Sequence, residues 1–285
     1  MNHSTFQPTA TSEETHSAIV EVSNLCIRFE KQSVLENLNL RIRRGETVAV
    51  IGESGCGKTV FLKTLIGLIP PSSGTVHFDS QDLQTLRLSE LAQLRTRIGF
   101  VFQSSALFDS LTVAENIAFP LRQAISAGPG ESLISDHDLH ALVVQSLRDV
   151  GLPSHVFQRY PNELSGGMQK RVGLARATIL KPDLILYDEP TTGLDPIASD
   201  IINELILSSR LQHPVTSIVV THDMKTARKV ADRVIMFQPR SRLQTDENQV
   251  IYDGPPSDLN HQSDQRIQQF IHGEAGNRVL EMSGG

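Results

Sequence analysis

Residues Gly52 to Thr59 carry the clearest chemistry in the chain. They read Gly-Glu-Ser-Gly-Cys-Gly-Lys-Thr and fit the P-loop pattern G-x-x-x-x-G-K-[ST] at every fixed position. The three glycines let backbone N–H groups point inward around phosphates. Lys58 would reach the β and γ phosphates, and Thr59 would offer its hydroxyl to Mg²⁺. The stretch therefore predicts a nucleoside triphosphate site; the alternative is a plain glycine-rich turn.

A second signal is a pair of carboxylates at the end of an apolar run. Residues Leu184 to Asp188 read Leu-Ile-Leu-Tyr-Asp, and Glu189 follows directly. Asp188 would hold Mg²⁺, directly or through water, while Glu189 would orient and deprotonate the attacking water. A strand that ends in a solvated acidic turn is the alternative. Beside a P-loop, the pair predicts nucleotide hydrolysis.

These groups need a strand before the P-loop and a helix after it. Glu46–Ile51 is a short, β-branched apolar run, typical of a buried parallel strand. Thr59–Leu68 has helical spacing of its apolar residues, so we predict a helix there. This order places the phosphates at a helix N-terminus, where the helix dipole favours negative charge.

The remaining pattern predicts an α/β fold with a helical insertion. Alternating apolar residues in 18–29 and 38–42 predict two antiparallel strands, and strands are expected at 75–78 and 97–102 around a short helical segment. Strands at 184–188, 217–221 and 234–237 predict a parallel sheet, with a helix after the first of them that Asp195 caps and Pro196 begins. Residues 104–151 are helical, with a kink at Pro120, a loop at 126–130 and a capping box at Ser135 and Asp138.

Composition excludes several classes of protein. The chain has 285 residues, 39% of them hydrophobic, and a net charge of −6, so we expect no nucleic-acid partner. Two cysteines, Cys26 and Cys56, argue against a disulfide framework and favour a reducing compartment. No apolar run is long enough to span a bilayer, so membrane work would need a partner chain. Residues 1–17 are predicted to be a disordered tail, and 241–285 a polar C-terminal extension with a frayed end.

The third motif indicates the family. Leu164-Ser-Gly-Gly-Met168 matches the signature loop Leu-Ser-Gly-Gly-Gln except at its last position. Gln103 after a strand resembles the Q-loop, Gly193-Leu-Asp195 the D-loop, and His222 the switch histidine. In order and number these segments make the chain resemble the ATP-binding subunits of ABC transporters across about residues 18–260.

That resemblance implies a fold, a domain plan and a set of site residues. We expect a P-loop ABC ATPase core at 18–240, with an antiparallel β subdomain and an inserted α-helical subdomain at about 104–172. Glu189, His222 and Gln103 would be catalytic, and Thr59, Gln103 and Asp188 would hold Mg²⁺. Residues expected to bind ATP are Phe29, which would stack on adenine, Gly52, Glu53, Ser54, Gly55, Cys56, Gly57, Lys58, Thr59 and Val60. Those expected to face the ATP of a partner subunit are Leu164, Ser165, Gly166, Gly167 and Met168, with Asp195 in the D-loop.

Three segments are similar to the MlaF-type ATPases more narrowly. They are the run Phe100–Leu121, Met168 in place of glutamine, and Arg266–Gly273. This similarity implies phospholipid movement driven with an MlaE-type permease and an Mce-domain protein, by a homodimer peripheral to the cytoplasmic face of the inner membrane. Gly193-Leu194 follows the general ABC form instead of the variant in some MlaF proteins, and the residues after Gly273 do not contribute to the resemblance. The alternatives are the ATPase of another importer, such as one for polar amino acids, or a non-transport ABC protein that remodels a protein complex.

Two further expectations concern single segments. The apolar residues Ala106, Leu107, Phe108 and Leu111 follow Gln103, so they would dock the permease unless they form subdomain core. Cys56 lies at a helix N-terminus beside Lys58. Both features predict a lowered thiol pKa and high reactivity, unless the thiol is turned into the core.

Overall fold

A computed structural model of the protein describes residues 17–30, 32–127, 135–212, 214–244 and 247–275. The predicted N-terminal tail, except Ser17, the greater part of the predicted loop at 126–130 and the predicted frayed end lie outside these ranges. The strands are β1 (Ala18–Phe29), β2 (Gln32–Arg43), β3 (Thr47–Gly52), β4 (Ser73–Phe78), β5 (Gln81–Asp82), β6 (Ile98–Val101), β7 (Leu184–Asp188), β8 (Thr216–Val220), β9 (Arg233–Phe237) and β10 (Val250–Gly254). The helices are α1 (Lys58–Leu65), α2 (Leu88–Thr96), α3 (Val113–Ala127), α4 (Asp136–Asp149), α5 (Gly166–Thr178), α6 (Pro196–Gln212), α7 (Met224–Val230) and α8 (Gln265–His272).

Two sheets enclose helix α1. A four-stranded sheet has the order β2-β1-β4-β5, and its pairings are antiparallel, as the alternating pattern predicted. Leu25 and Ile27 of β1, opposite Leu38 and Leu35 of β2, join a core with Phe61 of α1. Leu35 and Leu38 share a face although they are three residues apart, because the strand pairing has an irregularity between them. The antiparallel sheet is therefore packed over the helix that begins at the P-loop.

The second sheet has six strands in the order β10-β9-β3-β8-β7-β6. Strands β9, β3, β8, β7 and β6 run parallel. Every residue of β3, β7 and β8 is buried, which explains why the sequences of these strands are almost continuously apolar. The carboxyl ends of these strands lie at one edge of the sheet. That edge brings the residues after β3, β6, β7 and β8 into one region.

Strand β10 was not predicted. It pairs antiparallel with β9 at the edge of the sheet, with Tyr252 opposite Met236. The residue Ile267 of α8 is buried in the same cluster as Tyr252. The part of the C-terminal extension that the structure describes therefore packs into the core of the domain. The sequence of the extension is largely polar, and only a few apolar residues in it indicated this packing.

The helical insertion differs from its prediction in two places. Residues 104–112, predicted to be helical, form turns and irregular backbone, because Ser105 and Ala106 have positive φ values that a helix does not allow, and α3 begins only at Val113. Helix α3 continues through Pro120 to Ala127, so the loop expected from residue 126 is wrong at its first two positions. Proline removes one backbone hydrogen bond, but Val113, Ile117 and Leu121 keep one face of α3 buried in the helical core. Of the predicted capping box, the N-cap half is confirmed, since the Ser135 hydroxyl accepts a hydrogen bond from the Asp138 N–H at 3.1 Å. The Asp138 carboxylate accepts from the Ser135 hydroxyl at 2.8 Å.

Helix α1 is shorter than predicted. It ends at Leu65 because Gly67 has a φ of 65°, which turns the chain out of the helix, and Leu68 is left exposed.

In the part of the chain that the structure describes, no helix has the length and apolar character needed to cross a bilayer.

Candidate functional site

The P-loop joins β3 to α1, and two of its glycines are required by close contacts. Gly52 has a φ of 144°, and a Cβ there would lie 2.3 Å from the carbonyl oxygen of Phe237. Gly57 has a φ of 98°, and a Cβ there would lie 2.6 Å from Cδ2 of Leu35. Any side chain at either position would displace its neighbours, so the loop is fixed against β9 and β2.

The Lys58 side chain is buried within its own loop. Its Nζ donates hydrogen bonds to the carbonyl oxygens of Gly52 at 2.7 Å and Glu53 at 3.0 Å. The loop therefore holds one positive charge at the start of α1. Ser54 and Gly55 are exposed at the turn, and Val60 is half-buried on the first turn of α1.

Residues far along the chain hold the P-loop in place, and the sequence analysis missed them. Arg242 contacts the Glu53 carboxylate, with Nη1 2.7 Å from Oε2. The buried Gln249 side chain donates to the carbonyl oxygens of Cys56 at 3.1 Å and of Val34 at 2.9 Å. No local sequence signal marks either residue, because both partners lie more than a hundred positions away.

The predicted reactivity of Cys56 is wrong. Its thiol is fully buried, and its sulfur lies 2.9 Å from where a Cβ on Gly52 would stand. Burial raises the pKa of Cys56, because the thiolate loses its hydration, and this outweighs the positive charge of Lys58. The side chain is turned into the core, which was the alternative interpretation.

Thr59 and Asp188 lie together at the edge of the parallel sheet. The Thr59 hydroxyl donates to Asp188 Oδ1 at 2.8 Å, and Asp188 is buried at the end of β7. Burial raises the pKa of Asp188, against the hydrogen bond from Thr59, which lowers it. Two hard oxygen donors side by side fit a Mg²⁺ ion whose other ligands come from phosphate and water. The residues described contain no cluster of three or more His, Cys, Asp or Glu side chains that would hold a metal by itself.

Glu189 and His222 form a hydrogen-bonded pair next to this position. Glu189 Oε2 lies 2.8 Å from His222 Nδ1 and accepts a hydrogen bond from the Thr192 hydroxyl at 3.1 Å. Glu189 has a φ of 50°, a left-handed conformation that is uncommon for a residue with a side chain. Its N–H donates to the Val220 carbonyl at 2.9 Å, so β8 fixes the turn and His222 follows from the same strand.

Gln103 follows β6 at the same edge of the sheet, with its side chain exposed. Its carbonyl oxygen accepts a hydrogen bond from Lys170, a buried residue of α5 that the sequence analysis did not single out. Phe29 ends β1, and its side chain is 46% exposed. Its ring is therefore accessible to a flat ligand.

The signature loop lies beside the predicted D-loop. Ser165 caps α5, its hydroxyl accepting from the Met168 N–H at 3.3 Å, and Asp195 caps α6 through the N–H groups of two residues at 2.9 Å. A Cβ on Gly167 would lie 3.7 Å from Ala198 of α6. Leu164 is buried and Met168 packs in the helical core, whereas Ser165 and Gly166 are exposed. One shallow pocket is lined by both loops and by no residue of the P-loop.

The P-loop, the acidic pair at the end of β7 and the histidine after β8 define an ATP-hydrolysing nucleotide-binding domain. The family model described as ABC transporter matches residues 35–192. The chain belongs to the ABC transporter family, as an ATPase.

Relatives of known name agree with this assignment. The chain is 36% identical over 261 residues to the intermembrane phospholipid transport system ATP-binding protein MlaF of Haemophilus influenzae, covering 92% of this chain and 93% of the relative. It is 35% identical over 277 residues to the chloroplastic protein TRIGALACTOSYLDIACYLGLYCEROL 3 of Arabidopsis thaliana, covering 92% and 75%. It is also 37% identical over 255 residues to the probable ribonucleotide transport ATP-binding protein mkl of Mycobacterium bovis, covering 86% and 69%.

A solved structure has the same fold. The ATP-binding cassette MJ0796, determined as a dimer in a post-hydrolysis state with ADP and phosphate, superposes with a TM-score of 0.71 at 32% identity. The match covers 83% of this chain and 98% of that cassette. The α/β fold with an antiparallel sheet, a parallel sheet and several helices, expected from the resemblance, is therefore confirmed.

Proposed function

We propose that this ATPase drives phospholipid movement, as the subunit that supplies energy to an MlaE-type permease working with an Mce-domain protein. The support is the name of the Haemophilus influenzae relative, which matches over nearly the full length of both chains. In this proposal the domain at 18–240 carries the chemistry, the helical subdomain at about 104–172 receives the permease, and 241–285 is an extension. The protein would be peripheral, on the cytoplasmic face of the inner membrane.

The proposed working form is a homodimer with two composite ATP sites. The dimeric state of the MJ0796 cassette supports it, and so do the exposed Ser165 and Gly166, which lie beside the D-loop and away from the P-loop. In each site, residues 52–60 and Phe29 of one protomer bind ATP, and residues 164–168 of the partner complete the contact. Closed two-fold symmetry gives two equal sites.

The single observation that carries the hydrolytic step is the Glu189–His222 contact of 2.8 Å. Glu189 accepts a proton from the attacking water. The oxygen of that water bonds to the γ phosphorus of ATP, and the bond between the γ phosphorus and the β–γ bridging oxygen breaks. His222 orients the Glu189 carboxylate. Thr59, Asp188 and Gln103 would hold Mg²⁺, which supplies positive charge to the phosphate oxygens when bound. Lys58 would exchange its loop carbonyls for phosphate oxygens.

A second candidate substrate is a ribonucleotide, favoured by the name of the mkl relative at 37% identity. The two candidates differ in what the assembled complex would move. The ATPase of another importer and a non-transport ABC protein remain the alternatives from the sequence.

The test is extraction of the tagged protein from membranes in mild detergent, identification of the co-purifying chains, and reconstitution of the complex into vesicles. We expect a permease and a lipid-binding chain, and ATP-dependent transfer of a fluorescent phospholipid between the complex and acceptor vesicles. The Glu189→Gln complex is the matched control. Transfer of a radiolabelled ribonucleotide in place of phospholipid would overturn the lipid proposal.

A further inference from the structure

Lys170 of helix α5 is a buried lysine that joins two parts of the ATP site. It is only 7% exposed. Its Nζ donates to the carbonyl oxygen of Gln103 and lies 3.4 Å from the carbonyl oxygen of Glu189. These two carbonyls belong to the loops after β6 and β7. One side chain therefore fixes both loops to the helix that begins at the signature motif.

The same face of α5 follows the segment after Gln103 for two further turns. At Gly173, a Cβ would lie 3.5 Å from the carbonyl oxygen of Ser105, so the chain passes close to the helix. Arg176 donates to the carbonyl oxygens of Ser105 and Ala106, each at 2.8 Å. Lys170, Gly173 and Arg176 are spaced at three residues, which places them on one side of a helix.

The contacted segment has a defined and uncommon backbone. Ser105 has a φ of 61° and Ala106 a φ of 44°, both in the left-handed region that side chains disfavour. Two successive residues of this kind persist only where their surroundings fix them. The contacts from Arg176 supply that constraint at one end, and the contact from Lys170 supplies it at Gln103.

Burying a lysine at position 170 costs desolvation free energy. A buried ammonium loses hydration, and burial lowers the pKa of Lys170 while the charges of Glu189 and Asp188 oppose that change. Among the residues described, no carboxylate lies within ion-pair distance of its Nζ, which donates hydrogen bonds to two backbone carbonyl oxygens instead. A methionine would fill similar volume without this desolvation cost, so packing alone does not account for a lysine.

We propose that Lys170 is a positioning residue, which holds the loops of Glu189 and Gln103 in register with the signature helix of the same protomer. The inference rests on the proposed function, in which residues 164–168 face the ATP of the partner. Because α5 begins at that loop and carries Lys170 about one turn later, a shift of the signature against one ATP moves the Glu189 loop at the other. The lysine thereby links the two composite sites.

The test compares the full-length parent protein with Lys170→Met, Lys170→Arg and Lys170→Gln. We measure ATP affinity with a fluorescent ATP analogue, together with kcat, KM and the Hill coefficient for hydrolysis. For Lys170→Met we expect affinity within about two-fold of the parent, a kcat lower by about ten-fold or more, and a Hill coefficient near one. Lys170→Arg or Lys170→Gln, which keep hydrogen-bond donors, should recover part of the kcat.

A matched control is Lys229→Met, which removes a half-buried lysine of α7 that pairs with Asp200 and Glu204. It should leave the Hill coefficient unchanged. If Lys170→Met has the same kcat and the same Hill coefficient as the parent protein, the proposal is overturned. A fall in affinity and melting temperature in step with kcat, unrelieved by Arg or Gln, would assign Lys170 to stability alone and also overturn it.

A separate measurement tests the composite ATP site of the proposed homodimer, independently of Lys170. The Glu189→Gln protein should dimerise on addition of ATP, as measured by light scattering. If it stays monomeric while Lys170→Met still loses kcat, the composite site is wrong and the positioning of Glu189 by Lys170 within one protomer stands. If it dimerises and Lys170→Met hydrolyses ATP like the parent, only the inference on Lys170 is wrong.

Discussion

The Glu189 carboxylate lies 2.8 Å from the Nδ1 atom of His222, although the two residues belong to different strand ends. Strands β7 and β8 are parallel neighbours, with Asp188 opposite Val220, so the residues that follow them emerge at the same edge. Thr192 contributes a second hydrogen bond to the same carboxylate oxygen. These two contacts hold the Glu189 carboxylate in one orientation beside Asp188, as its proposed role of general base requires.

The first prediction separates binding from turnover. Lys58→Ala should weaken ATP binding by about ten-fold or more, because it removes the positive charge at the P-loop. Glu189→Gln should keep ATP affinity within about three-fold and lower kcat by at least about a hundred-fold, since the amide cannot accept the proton of water. Fluorescent-nucleotide titration and phosphate release measure the two quantities.

The matched control for Glu189→Gln is Glu204→Gln, an exposed residue of α6 that pairs with Lys229. It should hydrolyse ATP at the parent rate. A Glu189→Gln protein that releases phosphate as fast as the parent would remove Glu189 from the role of base.

The second prediction concerns the two free cysteines. Cys26 of β1 is half-buried and Cys56 is fully buried with a raised pKa, so alkylation should be fast at Cys26 and slow at Cys56. Mg-ATP should not change the rate at Cys56. Mass spectrometry of each cysteine peptide checks this, and the urea-unfolded protein, in which both should react, is the control. Labelling of Cys56 that ATP suppresses would contradict its burial.

The third prediction concerns stability in acid. Asp79 contacts Arg44 and Arg97, the latter at 2.6 Å, and Arg97 also contacts Asp183 at 2.6 Å, which joins the antiparallel sheet to the main core. Hydrogen bonding from Arg97, the largest effect, and the charge of Arg44 lower the pKa of Asp79. Its contribution to stability is therefore full above the unfolded pKa of about 3.9 and is lost as the pH falls through the lower folded value.

Asp79→Asn should thus lower the free energy of unfolding by about 0.5 to 1 kcal/mol at neutral pH, and the difference should narrow as the pH falls below about 4. Asparagine tolerates the left-handed φ of 51° at this position, so the variant isolates the charge. Urea unfolding from about pH 7 to about pH 3 measures it. The control is Glu21→Gln, which breaks an exposed pair in the same sheet and should cost less. A pH-independent difference would show that charge is not the cause.

The fourth prediction concerns the permease. Leu107 packs against the helical core, but Phe108 is 42% exposed, with its ring 4.6 Å from that of Phe119 and the Arg176 guanidinium 5.9 Å from its centre. Phe108→Asp should release the protein from membranes without changing its melting temperature or ATP affinity. Leu211→Asp, at an 88% exposed leucine of α6, is the control and should stay bound. Membrane association retained by folded Phe108→Asp would exclude this docking surface.

The sequence by itself predicted the elements whose signals are local. The P-loop, the carboxylates after β7 and the alternation of β1 and β2 each lie within a few residues, where glycine conformation and side-chain periodicity act directly. Their order along the chain was also sufficient to indicate the family. Helix α1 was predicted three residues too long because Gly67 acts through its backbone angle, which residue type only suggests.

The tertiary structure decided the contacts between distant segments. Strand β10 forms because β9 offers it an unpaired edge, and no alternating pattern in its own five residues requires that. The charge of Lys58 and the helix dipole favoured a reactive Cys56, but packing against Gly52 removed its solvent, and desolvation is the larger effect. Lys170, Arg242 and Gln249 gained their partners only when α5 and the segment after β9 folded onto the loops of the site. Such partners are set by three-dimensional packing, which single-residue chemistry does not encode.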